Sequence, residues 1–340
     1  MDAVHSQIIT RSLFAAAFSF ALGVVLGPRC IRWLQSRFPE PNLSPSPEVR
    51  NLQRAKRSTP TMGGLLILST AWAAWLLFGQ LSDPNLLVAF GLSAGLAGLG
   101  AYDDWVKIMP GHRRGLSARV KFAGQVAIAT LAISAWVCIE RDAPDRDGVW
   151  GSEWVLVPLT VLVIVACSNA MNLTDGLDGL AGGCFVFVML AMGALLYVSC
   201  KAEFAHALGV PYIPGNRELV LVAASVVGAV LSFLWFNCHP ARVFMGDTGA
   251  LPLGGLMGFL AVACRQELVM LIVGGVFVIE TASVILQVAS YRLGHGRVLR
   301  CAPLHHHFQL LGWPEPKIVV RFWVASALCA ATGVVGVWAF

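Results

Sequence analysis

ELVLVAASVVGAVLSFLWF (218–236) sets one glutamate at the margin of eighteen residues that carry no charge. A bilayer core about 30 Å thick takes roughly 20 apolar residues per helical crossing, so the stretch predicts a transmembrane helix. Outward from it, comparable apolar runs lie at 12–34, 61–80, 86–102, 120–139, 154–171, 180–200, 248–264, 268–290 and 320–338. Over the whole chain of 340 residues, 57% are hydrophobic and 13% charged, against about 25% charged in soluble domains. That balance excludes a soluble enzyme, a disordered chain and a nucleic-acid binder. The expected fold is all-α, a polytopic membrane protein with about ten transmembrane helices, both termini extracytoplasmic, in a single domain over 1–340. The first run is preceded by MDAVHSQIITR and followed by Arg29, Arg32 and Arg37. A signal peptide has its positive charge on the other side, so a retained first helix is expected.

Orientation follows from the cations. Eighteen of the 24 Lys and Arg fall in loops after the first, third, fifth, seventh and ninth runs; the opposite side holds Arg11, Arg141, Arg146, Lys201, Arg217 and Arg265. Positive loops stay in the cytoplasm. This places the polar segments near 36–60, 103–119, 172–179, 237–247 and 291–319 on the cytoplasmic face. Nine cysteines stand singly, with no CxxC pair, and read as small apolar filler rather than a disulfide or zinc framework.

The carboxylates gather on the cytoplasmic side too. Asp103 and Asp104 end the third run, Asn172, Asp175 and Asp178 follow the fifth, and Asp247 starts the eighth. One such aspartate could merely cap a helix. Five on one face, among Lys and His, point to chemistry, because ionisable groups at membrane depth are costly to dehydrate. Adjacent Asp103 and Asp104 diverge by about 100° on a helix. A division of labour is therefore expected rather than joint chelation, with Lys107 on the face of Asp103. Asn172, Asp175 and Asp178 form a stripe if helical, or converge on a cavity if Gly176 and Gly179 bend the backbone. Within FMGDTG, Gly246 and Gly249 would let backbone approach a bound group, while Gly254, Gly255 and Gly258 suit close helix packing. Oxygen ligands of this kind suit Mg²⁺.

Glu280, Ser283 and Gln287 form one polar stripe in the ninth run, read either as interhelical hydrogen bonding or with Gln287 lining a site. His305, His306 and His307 point in different directions if helical and cannot cage a metal alone; beside cations they suit phosphate or nucleotide contacts. Lys56, ahead of the turn-like TPTMGG, stands out among the basic residues.

AKRSTPTMGG (55–64), AYDDWVKI (101–108), GLSARVKFAGQ (115–125), NAMNLTDGLDGLAGG (169–183), FNCHPARVFMGDTG (236–249), ETASVILQV (280–288) and APLHHHFQLLGWPEPKIVVRFW (302–323) together resemble the phospho-N-acetylmuramoyl-pentapeptide transferases. These belong to the polyprenyl-phosphate N-acetylhexosamine-1-phosphate transferase superfamily. The motifs occur in order and span about four-fifths of the chain; the triple histidine with GWPEP is particular to the muramoyl-pentapeptide branch. The resemblance implies ten helices, a bacterial inner membrane, commonly a homodimer, and Mg²⁺ dependence. It implies transfer of phospho-N-acetylmuramoyl-pentapeptide from UDP-MurNAc-pentapeptide to undecaprenyl phosphate, with release of UMP. Carried over by position, Asp247 ligates Mg²⁺ and Asp103 is the catalytic carboxylate, base or nucleophile, with Asp104 beside it. Lys56, Thr61, Lys107, Asn172, Asp175, Asp178, Asn237, Phe244, Gln287, His305, His306 and His307 line the nucleotide and phosphate site, Phe244 stacking on uracil. Ser58 replaces the usual Gly before TPTMGG and Gln309 the usual Glu after the histidines.

Two rivals stand beside this reading. A sister transferase moving N-acetylglucosamine-1-phosphate shares the carboxylate motifs but lacks HHHFQLLGWPEP. A transporter would place ionisable groups at span centres, where only Glu280 lies.

Overall fold

The computed structural model describes residues 2–38, 59–109, 115–139 and 153–337. Its helices, in chain order, are α1 (Asp2–Arg37), α2 (Gly64–Phe78), α3 (Pro84–Ile108), α4 (Ala118–Ile139), α5 (Glu153–Thr174), α6 (Leu180–Ser199) and α7 (Ala202–Leu208). They continue with α8 (Arg217–Asn237), α9 (Asp247–Ala263), α10 (Glu267–Val273), α11 (Gly275–Arg292), α12 (Leu304–Leu310) and α13 (Glu315–Gly336). The chain is a polytopic helical membrane protein. Among the described residues each apolar run lies on a single helix, except that at 268–290. Among the described residues seven helices, α1, α3, α4, α5, α6, α8 and α13, are long and apolar enough to cross a bilayer. The apolar helices α2 and α9 are shorter, at 15 and 17 residues.

The run at 268–290 is not one straight span. It breaks at Gly274 into α10 and α11, which meet at 85°. Two glycines sit at the break, and a Cβ on Gly275 would lie 2.8 Å from the Cys329 sulfur of α13. The joint therefore packs closely on that helix, in the way small residues allow between membrane helices.

Helix α9 is the centre of the bundle, with every residue from Asp247 to Ala263 buried. Glycines set its neighbours. A Cβ on Gly254 would lie 2.4 Å from the Cys167 carbonyl oxygen and one on Gly258 2.9 Å from Ile164 Cα, both on α5; one on Gly255 would meet Leu96 of α3 at 2.2 Å. Close packing is thus the role of all three. Gly249 belongs with them: its Cβ would meet Gly64 Cα at 2.8 Å. It makes room for α2. Gly100 of α3 lies against the Asp247 carbonyl, where a Cβ would approach to 2.2 Å. That contact brings the last turns of α3 beside the first turn of α9.

One end of the bundle is braced by charge. Arg11 of α1 donates to both carboxylate oxygens of Glu218 on α8, at 2.8 and 3.0 Å, and to the Phe78 carbonyl at 2.9 Å. Glu218 also accepts from the Gln80 amide. Nearby, Asp83 caps α3 by accepting from Asn85 and Leu86 amides. Asp103, Asp247 and Asn172 lie at the opposite ends of their helices.

Candidate active site

Asp103, Asp104 and Asp247 converge at that opposite end, each buried and each offering a carboxylate oxygen within 4.8 Å of the others. Residues adjacent on α3 do meet across one centre, because the α9 terminus reaches between them. Asp103 and Asp104 both reach this centre, with different partners.

Asp104 serves the start of α9. Its Oδ1 accepts from the Asp247 amide at 3.2 Å, and its Oδ2 from the Thr248 amide at 2.9 Å and the Thr248 hydroxyl at 2.7 Å. A helix begins with unpaired N–H groups and a positive dipole end, so a carboxylate there is held firmly. Gly246 makes the fit possible. It adopts φ 69°, ψ 174°, a conformation nearly confined to glycine, and a Cβ there would sit 2.5 Å from Asp104 Oδ2 and 2.7 Å from the Thr61 hydroxyl. Thr61 is thereby placed beside the cluster.

Asp103 and Asp247 face the cations. Lys107 Nζ lies 2.7 Å from Asp103 Oδ2, 3.1 Å from Asp104 Oδ1 and 3.0 Å from Asp247 Oδ2, the i, i+4 pairing with Asp103 being the one expected. Lys121 of α4 bonds Asp247 Oδ2 directly and lies 3.8 Å from Asp103. Asn172, at the end of α5, donates to Asp247 Oδ1 and faces Lys121 through its own oxygen. Asp103 Oδ1 accepts from the Leu116 amide at 2.7 Å. Three carboxylates thus surround two ammonium groups, a formal excess of one negative charge. Lys107 occupies the point from which all three carboxylates are reached. The donor set, oxygens only and anionic, fits a hard divalent cation, whose shell brings oxygens to within about 4.2 Å of one another.

Other expected site residues lie apart from this centre. The stripe through Asn172, Asp175 and Asp178 is broken, since α5 ends at Thr174 and Gly179, at φ 76°, starts α6. Asn172 reaches Asp247, while Asp175 follows in the turn. Asp178 instead accepts from the Ala241 amide and holds His239 at 3.0 Å, with Glu315 Oε2 3.9 Å from the same imidazole. Asn237 bonds Gly179 and Val243 backbone, fastening the α8–α9 connection to the start of α6. Phe244 is half-buried and its backbone pairs with Pro60 and Gly63. Gln287 grips both the amide and the carbonyl of Leu299, so it folds the loop after α11 rather than facing the carboxylates.

The histidines diverge, as consecutive helical residues must. His305 bonds Glu280, His306 pairs with Gln309 at 2.8 Å, and His307 accepts from the Arg300 amide. Lys56 and Ser58 lie outside the described residues. Lys121, Thr248, His239 and Glu315 were not singled out from sequence. Each sits inside a quoted motif, but their partners lie tens of residues away.

Residues 86–265, which hold all three carboxylates, match the model of glycosyl transferase family 4. The chain is 42% identical over 332 residues to a phospho-N-acetylmuramoyl-pentapeptide-transferase of Nitratidesulfovibrio vulgaris, covering 96% of this chain and 92% of that protein. It is 41% identical over 336 residues to one from Desulfovibrio desulfuricans, with the same coverage of both chains.

Proposed function

The chain belongs to the phospho-N-acetylmuramoyl-pentapeptide-transferase family, and we propose that it transfers phospho-N-acetylmuramoyl-pentapeptide from its UDP-linked donor to undecaprenyl phosphate at the cytoplasmic face of the bacterial inner membrane. In this reaction an oxygen of the lipid phosphate attacks the β-phosphorus of the nucleotide. The bond from that phosphorus to the bridging oxygen breaks, and UMP leaves with the bridging oxygen. The observation that carries the reading is the meeting of Asp103, Asp104 and Asp247 with Lys107 and Lys121 at one end of an apolar bundle. A site at the end of the spans suits one substrate from water and one from lipid.

Phosphoryl transfer depends chiefly on positioning and on neutralising charge. Lys107 and Lys121 carry positive charge to the place where the bridging oxygen of the departing UMP gains negative charge. Asp103 takes the proton of the lipid phosphate as general base. Asp104, bound to the α9 terminus, fixes Asp247, and Asn172 orients that carboxylate from the other side. Asp247 would hold Mg²⁺, which when bound supplies neutralising charge on the diphosphate.

The test compares donors with the purified full-length protein, undecaprenyl phosphate and Mg²⁺. UMP release from UDP-MurNAc-pentapeptide and none from UDP-N-acetylglucosamine is expected. Release from the acetylglucosamine donor alone would overturn the assignment in favour of the sister transferase.

A further inference from the structure

Glu280 lies within α11, fully buried, and among the described residues its carboxylate is held by His305: Oε1 accepts from the His305 amide and Oε2 faces His305 Nδ1, both at 3.1 Å. An ionisable group at membrane depth is retained for a reason. The His305 ring has one further nitrogen. Nε2 is buried and has no hydrogen-bond partner among the described residues. It is directed at Gly176, so closely that a Cβ there would lie 2.2 Å from it. Gly176 belongs to the turn between α5 and α6 that carries Asp175, and Asn172, which holds Asp247, sits in the last turn of α5.

We propose that Glu280 is a positioning residue for the transfer reaction, acting through the protonation pattern of His305 on the Asp175–Gly176 turn. A carboxylate accepts only, so it keeps the imidazole proton on Nδ1. Nε2 then presents a lone pair, which fits against the Gly176 methylene. Moving the proton to Nε2 would extend the ring by a hydrogen into space that does not exist, and the turn would shift. Asn172 and Asp175 would shift with it. The proposal rests on the function proposed above for the Asp103 and Asp247 centre.

Glu280→Gln tests it while keeping volume. The amide NH₂ offers a donor to Nδ1 and so favours the proton on Nε2. Steady-state kinetics of the full-length variant should show turnover reduced tenfold to a hundredfold, roughly the loss expected when a partner that orients a site histidine is removed, with KM for the nucleotide within threefold. A purely structural Glu280 would lose stability or alter KM, and its cost would add to that of His305→Ala. If Glu280 acts through His305, the double variant loses no more turnover than His305→Ala alone. Wild-type turnover in Glu280→Gln, or additive losses, would overturn the proposal. Should Glu280→Gln fail to fold, Gly176→Ala delivers a methyl to the same point, and unchanged turnover there would overturn it. An inactive wild-type protein would instead overturn the function on which the proposal rests.

Discussion

Asp104 and Thr248 are bonded twice across 144 positions of sequence: Asp104 Oδ2 accepts both the amide, at 2.9 Å, and the hydroxyl, at 2.7 Å, of Thr248. This ties the end of α3 to the start of α9 and separates the two adjacent aspartates by role. Asp104 builds the site; Asp103 faces it.

Stability measurements distinguish those roles. Thr248→Val removes the hydroxyl bond and should cost about 1 kcal/mol. Asp104→Asn costs more, about 2 kcal/mol, because an amide turns one donor toward the N–H groups at the α9 terminus. Asp103→Asn should leave thermal stability nearly unchanged. Equal melting temperatures for Asp104→Asn and the parent would contradict the capping role.

Metal dependence distinguishes Asp247 from Asp103. In Asp247→Asn the Mg²⁺ concentration for half-maximal activity should rise at least about tenfold, the loss that removing even an outer partner of a metal can bring. In Asp103→Asn turnover should fall at least about a hundredfold, as for a lost general base, with Mg²⁺ dependence retained. Titrations giving the parent's Mg²⁺ dependence for Asp247→Asn would contradict its assignment.

At the far end of the bundle, Glu218→Ala should destabilise without touching the chemistry. Removing one partner of a fully buried ion pair costs about 3–5 kcal/mol. Arg11 is one-third exposed, so solvent compensates part of this and about 2 kcal/mol is expected. A lower melting temperature with parental turnover per folded molecule is the predicted result.

Most of the helical framework was legible, because apolar runs of membrane length leave little choice of structure. The break at Gly274 was not, since two glycines inside an apolar run read equally as close packing. For the site, Asp103, Asp247, Lys107 and Asn172 stood out as charged or polar residues at the ends of apolar runs, and the structure brings them together. Lys121 was hidden by its company: in a loop already rich in cations it reads as an orientation signal. Asp178 and Asn237 lay in the right motifs, yet their side chains hold His239 and backbone groups, which only the bend at Gly179 reveals. Glu280 showed as a lone charge in a span, but its partner His305 lies 25 positions away, beyond any helical periodicity.

The chemistry proposed for the Asp103, Asp104 and Asp247 centre is transfer of a phosphosugar to a lipid phosphate. The most direct measurement incubates purified full-length protein with undecaprenyl phosphate and UDP-MurNAc-pentapeptide, with Mg²⁺ or with a chelator, and quantifies lipid product and UMP together. Equal amounts of both are expected with Mg²⁺, neither with the chelator, and neither from the Asp103→Asn, Asp247→Asn double variant. Lipid product formed by the double variant at the parental rate would contradict it.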